Sequence, residues 1–154
     1  MWLSRSWTTR ARREGEGDDA YTFVDRPTFE AAIAQGKFLE YASVLGEWYG
    51  TPMPDAPPGR DIVLEIDVQG AAQVRRRCEG VVCVLLVPPS AEDQVRRMGE
   101  RGDSEAHVRA RLELAGRELA AGRAIADAIV VNRDVDQAVD ELTGILERAR
   151  RGAS

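Results

Sequence analysis

Asp61-Ile62-Val63-Leu64-Glu65-Ile66-Asp67 is an apolar run closed by acids. A strand of a parallel sheet reads this way, because helices cover both of its faces. Two further apolar runs follow, Val81-Val82-Cys83-Val84-Leu85-Leu86-Val87 and Ala128-Ile129-Val130-Val131. Helical patterns separate and follow them, at about 68–78, 90–100, 104–121 and 134–150. Strands alternating with helices predict an α/β fold with a parallel sheet. Ser90 and Asp93 have the spacing of a capping box, with Asp in place of Glu. Ser104 is placed to cap the third helix, and Gly122 to follow its end.

Upstream of these runs the elements are shorter. Tyr21-Thr22-Phe23-Val24 has the β propensity of a strand. Asp25 can cap a helix that takes Pro27 into its first turn and stops at Gly36. Phe29, Ala32 and Ile33 give that helix one apolar face. Residues 38–44 and 47–51 read as two strands joined at Leu45-Gly46. The segment 21–51 therefore predicts a small subdomain of short antiparallel strands. Residues 52–60 hold four prolines and a glycine, so they form a loop. At the start, residues 3–6 are expected to form a short strand leading into a loop over 8–16.

Composition narrows the possible functions. A chain of 154 residues can bury one real core. A net charge of −5 argues against a general nucleic-acid binder, and arginine clusters only locally. No apolar stretch is long enough for a membrane helix, and residues 1–13 lack the apolar core of a secretory signal. Cys78 and Cys83 fit no metal spacing, and one histidine, His107, cannot complete a zinc site. Both thiols are expected to be reduced in a cytoplasmic protein.

The chemistry-bearing residues fall into groups. Ser6-Trp7-Thr8-Thr9-Arg10-Ala11-Arg12-Arg13-Glu14-Gly15-Glu16 joins hydroxyls, arginine forks and carboxylates, a kit for gripping a phosphorylated base. The same run also reads as a solvated charged face. Glu65 and Asp67, two apart on a strand, would share one face at the end where open α/β sheets bind ligands. Asp67 could equally cap the next helix. Arg97 and Arg101 lie four apart on one helix face, which also reads as a basic surface paired with Glu92, Glu100 and Glu105.

The ordered series from the Ser6 run through Tyr21, Phe38-Leu39-Glu40-Tyr41, Trp48-Tyr49-Gly50-Thr51-Pro52 and Leu64-Glu65-Ile66-Asp67-Val68-Gln69-Gly70 resembles the guanylate kinases. These enzymes phosphorylate GMP to GDP with ATP. The resemblance implies a sheet like that of the P-loop nucleoside monophosphate kinases, within a single domain over 1–154. Residues 18–52 would be an inserted α+β GMP-binding subdomain. Residues 90–121 would be a helical lid with its flanking helices, and the remainder a partial core. Ser6, Arg10, Arg13, Tyr21 and Tyr49 would hold the GMP phosphate. Glu40 and Thr51 would read the guanine edge, with Glu16 supporting Arg10 or Arg13. Glu65 and Asp67 would hold Mg²⁺ through water or contact the bound nucleotide. Arg97, Arg101 and Arg111 would close over the phosphates, while Arg96 and Arg109 stay solvated. Asn132 would lie on the adenine side, although Arg133 replaces the family's usual acid there. The substrates would be GMP and ATP, with Mg²⁺ accompanying ATP, and neither nucleic acid nor membrane would be a partner.

One family feature is missing from the sequence. No G-x-x-x-x-G-K-[ST] phosphate loop occurs, and the single lysine is Lys37, in Gln35-Gly36-Lys37-Phe38. The expectation is therefore a guanylate kinase whose reading frame starts upstream of Met1, with this form inactive or nearly so. The sheet would then lack its first, central strand, leaving neighbouring strands unpaired and apolar faces exposed. The alternatives are an inactive module that binds a phosphorylated peptide at the old GMP site, or a regulator that senses GMP without transferring phosphate.

Overall fold

The computed structural model describes residues 1–100 and 104–152. In chain order the elements are β1 (Trp2–Leu3), β2 (Trp7–Thr8), β3 (Thr22–Phe23), α1 (Arg26–Ala34), β4 (Phe38–Val44), β5 (Glu47–Pro52), β6 (Ile62–Val63), α2 (Val68–Arg77), β7 (Val84–Val87), α3 (Ala91–Glu100), α4 (Glu105–Ile125), β8 (Ala128–Val131) and α5 (Val135–Gly152). They form two compact units, residues 1–79 and 80–154.

The first unit is built around a four-stranded sheet in the order β3-β2-β5-β4. Its centre is the hairpin of β4 and β5, antiparallel and turned at Leu45 (φ 52°) and Gly46 (φ 88°). Two consecutive residues at positive φ match the right-handed twist of the strands they join. α1 starts where the Asp25 carboxylate accepts from the Thr28 N–H at 2.9 Å, with Pro27 in the first turn. It ends where Gly36 (φ 66°) donates to the Ile33 carbonyl and Lys37 donates to the Ala32 carbonyl. That pair of bonds closes the helix in a Schellman motif. Phe29, Ala32 and Phe38 form the buried core, with Trp7, Val24, Ile33, Tyr41 and Trp48 packed around it. The rings of Phe29 and Phe38 stack with centroids 4.5 Å apart.

Two expectations change here. Residues 3–6 are not one strand. Leu3 pairs with Val63 in a parallel ladder, whereas the Ser6 carbonyl accepts from the Thr22 N–H at 2.9 Å. The chain thus passes from one sheet to another between Leu3 and Trp7, and a switch of partner ends a strand. The small sheet is also not wholly antiparallel, nor confined to 21–51. β2 supplies its second position, parallel to β3 and antiparallel to β5.

α2 covers the outer edge of β4. Gln73 imitates a neighbouring strand: its Nε2 donates to the Tyr41 carbonyl at 2.7 Å, and its Oε1 accepts from the Tyr41 N–H at 3.5 Å. One turn on, Arg77 donates to the Leu39 carbonyl. Edge groups that would otherwise remain unpaired are satisfied, and α2 is fixed to β4 at two points.

The second unit holds the parallel pair β7 and β8 with α3, α4 and α5. Val130 and Ala138 are buried where α5 packs on β8, and Met98 is buried on α3. Ser90 caps α3 by accepting from the Asp93 N–H at 3.1 Å. The Asp93 carboxylate, one methylene shorter than glutamate, meets the Ser90 hydroxyl at 3.1 Å. α4 does not stop at Gly122. That residue lies within the helix, and its carbonyl accepts from the Ala126 N–H at 2.9 Å. A glycine ends a helix only where the backbone turns left-handed. The stop comes at Asp127, which returns to the strand by donating its N–H to the Cys83 carbonyl and accepting the Cys83 N–H on Oδ2, each at 2.8 Å.

In place of one parallel sheet, the described residues form two separate parallel pairs, β1-β6 and β7-β8. Apolar side chains on these pairs stand open to solvent: Leu3 64% exposed, Ile62 45%, Leu86 50% and Ile129 45%. No described residue supplies a strand beyond either pair. No described helix is long and apolar enough to cross a membrane.

Candidate nucleotide site

Glu40 lies on β4 and Thr51 on β5, facing each other across the hairpin. Thr51 donates its backbone N–H at 2.9 Å and its hydroxyl at 2.5 Å to Glu40 Oε1. Both residues are buried, Glu40 at 4% exposure and Thr51 at 0%. Burial pushes the Glu40 carboxyl above its ordinary pKa; the Thr51 bonds oppose this and the charge of Asp67 reinforces it. Ser6 extends the group, its hydroxyl 3.4 Å from that of Thr51.

Asp67 completes this end of the unit from the start of α2. Its Oδ1 accepts from the Gly70 N–H at 2.7 Å, which makes it the helix cap, while its Oδ2 is buried and has no hydrogen-bond partner. Asp67 and Glu65 do not share a strand face. β6 ends at Val63, and the chain leaves extended pairing before either acid. Glu65 is exposed instead, and its charge acts on Tyr21.

A second cluster lies around Arg10. Its guanidinium grips Glu16 through two bonds, Nη2 to Oε1 at 2.7 Å and Nη1 to Oε2 at 3.1 Å. Glu16 Oε2 also accepts the Arg13 backbone N–H at 2.9 Å. The hydrogen bond from Arg10 draws the Glu16 carboxyl down to about 2, and the same bond raises the pKa of Arg10. Glu16 is therefore the residue that orients Arg10. The Arg10 guanidinium stands 5.6 Å from the centres of the Tyr21 and Phe23 rings. Tyr21 and Tyr49 meet edge to face at 6.1 Å, and Tyr49 acts electrostatically on Arg10. Burial, then the charges of Glu65 and Tyr49, raise the Tyr21 pKa, so its hydroxyl is a donor at neutral pH.

Thr8 and Thr9 are not free for a ligand. Thr8 Oγ1 donates to the Trp48 carbonyl at 3.0 Å and accepts the Arg10 N–H at 3.1 Å. Thr9 Oγ1 donates to Glu47 at 2.5 Å and accepts the Trp48 N–H at 2.9 Å. The hydroxyl cluster therefore fastens the arginine loop to β5. Sequence reasoning also missed Arg12 and Arg5, which pin the loop by binding Asp18.

In the second unit, Arg97 Nη2 donates to the backbone carbonyl of Asn132 at 2.8 Å, bringing those two residues together. The side-chain Oδ1 of Asn132 is buried without a hydrogen-bond partner. Arg96 is solvated and pairs along its own helix with Asp93 and Glu100. Arg111 lies half-buried on α4. Arg101 lies outside the described residues.

The family model described as guanylate kinase matches residues 3–149. This chain belongs to the guanylate kinase family. A guanylate kinase of Thermus thermophilus is 43% identical over 157 aligned residues, covering 98% of this chain and 71% of the relative. The guanylate kinase of Parasynechococcus marenigrum is 43% identical over 95% of this chain and 83% of its own length. The crystal structure of guanylate kinase from Anaplasma phagocytophilum superposes with a TM-score of 0.77 at 33% identity, covering 95% of this chain and 74% of that one. The mixed α/β architecture is thus that of a guanylate kinase.

Proposed function

We propose that this guanylate kinase family member binds GMP in its first unit and presents it for ATP-dependent phosphorylation to GDP. The observation that carries the reading is Glu40, a carboxylate buried at 4% exposure and fixed by both donors of Thr51. Burying such a group costs several kcal/mol unless its acceptor sites are filled. Guanine offers N1–H and an exocyclic N2 amine side by side, which a carboxylate accepts. Adenine offers an acceptor at N1, which would leave Glu40 facing a lone pair. Thr51 and Ser6 extend the polar edge along the base, and the open oxygen of Asp67 lies on the same side.

Arg10, Tyr21 and Tyr49 suit the phosphate of GMP. Glu16 holds the Arg10 fork in place before any ligand arrives, which lowers the ordering cost of binding. Arg13 adds a second guanidinium from the same loop. Residues 18–52, extended by Ser6 to Arg13, would be the GMP-binding part. Residues 90–121 would be the lid, with Arg97, Arg101 and Arg111 facing the transferred phosphate and Asn132 on the adenine side. Glu65 would act from the rim, through Tyr21 or a bound water.

The family implies ATP with Mg²⁺. The residues of this sequence do not fit ATP in the manner of a phosphate loop: the pattern is absent, and Lys37 closes α1 instead. Among the described residues no group of three or more His, Cys, Asp or Glu is placed to hold a metal ion.

A coupled GMP-plus-ATP assay tests the reading, run on this chain alone and on this chain joined behind a phosphate-loop strand and helix. Turnover of GMP, and not AMP, when the loop is present is the expected result. Equal turnover of AMP would overturn the guanine assignment. Displacement of GMP by a phosphopeptide, with no turnover in either form, would move the protein to the binding-module reading.

A further inference from the structure

Gly70 lies in the first turn of α2, where a glycine forms helix less readily than alanine. Its φ does not demand glycine, since it is absent from the positive-φ positions. Space demands it. A Cβ built on Gly70 would lie 2.8 Å from Glu40 Cδ and closer still to Glu40 Oε2. Real side chains do not approach this closely, so an added methyl must displace something. α2 cannot easily back away, because Gln73 and Arg77 bind it to the backbone of β4. The same Gly70 donates its N–H to Asp67 Oδ1. What can yield is the Glu40 carboxylate, and its Oε1 is the atom that holds Thr51.

We propose that Gly70 is a positioning residue for base selection: its bare α-carbon leaves the space in which the Glu40 carboxylate sits, while its N–H orients Asp67. This rests on the GMP reading above. A methyl at position 70 pushes Oε2 aside, turns the carboxylate away from Thr51 and misaligns the acceptor offered to guanine. Alanine is the better helix former, so α2 itself loses nothing; the cost falls on the Glu40–Thr51 bond and stays short of unfolding the unit.

The test is a calorimetric titration of the full chain with GMP and with IMP, which keeps N1–H but lacks the N2 amine. It is run on wild type, Gly70→Ala, Glu40→Asp and the double variant, with thermal midpoints measured alongside. Gly70→Ala should weaken GMP binding by about 10-fold or more and narrow the GMP-over-IMP preference, with the chain still fully folded at the titration temperature. Shortening the acid by one methylene withdraws it from the added methyl. In the Glu40→Asp background the same alanine should therefore cost no more than about 2-fold. Unchanged GMP affinity in Gly70→Ala would overturn the inference and leave the GMP reading standing. So would an equal loss in both backgrounds, or a loss accounted for by the fraction of unfolded chain at the titration temperature. Failure of the wild type to bind GMP would overturn the GMP reading and this inference with it.

Discussion

Thr51 delivers both of its donors, the backbone N–H at 2.9 Å and the hydroxyl at 2.5 Å, to the same Glu40 oxygen. The backbone bond holds as long as the hairpin holds, and only the hydroxyl depends on residue type. Thr51→Val keeps the shape and removes that donor. GMP affinity should fall by about 10-fold, in keeping with a charge-assisted hydrogen bond of about 1.5–3 kcal/mol. Titration calorimetry reads this directly. Unaltered affinity would mean that the hydroxyl does not set the carboxylate.

The protonation of Glu40 gives a pH signature. Burial, reinforced by Asp67, raises its pKa above the ordinary 4.5. A raised carboxyl favours the folded state most below its unfolded pKa, and that gain is lost as pH rises through the folded value. GMP binding needs the ionised acceptor, so it runs the other way. Affinity should fall as pH drops, beginning above the pH at which an ordinary glutamate titrates. An affinity flat down to pH 4.5 would contradict this assignment.

Glu16 has the opposite sign. Its carboxyl is drawn from 4.5 to about 2 by Arg10. The stability it contributes is present above its unfolded pKa and is lost as pH falls through about 2. Between those limits the wild-type midpoint should decline, and Glu16→Gln should flatten that decline. The variant should also weaken GMP binding at neutral pH, because Arg10 loses its orienting partner. Parallel pH–melting curves for the two proteins would expose an error here.

Leu45 takes a left-handed φ of 52° in the hairpin turn. A branched side chain there costs roughly 1–2 kcal/mol, and Asn tolerates the conformation better. Leu45→Asn makes the turn Asn-Gly and should raise the thermal midpoint by several degrees, with GMP affinity unchanged. A lower midpoint would mean that Leu45 packs in a way its 43% exposure does not suggest.

Phe29 is fully buried and stacked between Phe38 and Trp48. Phe29→Ala should cost about 3–5 kcal/mol, enough to unfold the small sheet and remove GMP binding with it. Chemical denaturation measures the loss, and a cost below about 1 kcal/mol would contradict the core described here.

Local signals made much of this legible in the sequence. Asp25, Pro27 and Gly36 marked the ends of α1, Leu45-Gly46 marked the turn, and the run at 128–131 became β8 as read. What escaped depends on partners distant in sequence. Trp7 and Thr8 carry no periodicity, and only pairing with β3 and β5 makes them a strand. Thr8 and Thr9 looked like ligand donors because their true acceptors lie far along the chain, at Trp48 and Glu47. Gly122 resembled a stop, yet φ decides that role and composition does not reveal φ. Gly70 carried another overlooked clue: alanine would serve the helix better, so a glycine in a first turn marks a place where a neighbour, here Glu40, leaves no room for a side chain.

The most direct measurement is a calorimetric titration of this chain with GMP and with AMP at neutral pH. One GMP should bind per chain, and AMP should bind at least about 100-fold more weakly, the size of penalty set by a buried polar group left facing the wrong base. Equal binding of the two nucleotides, or binding of neither, would contradict the GMP reading.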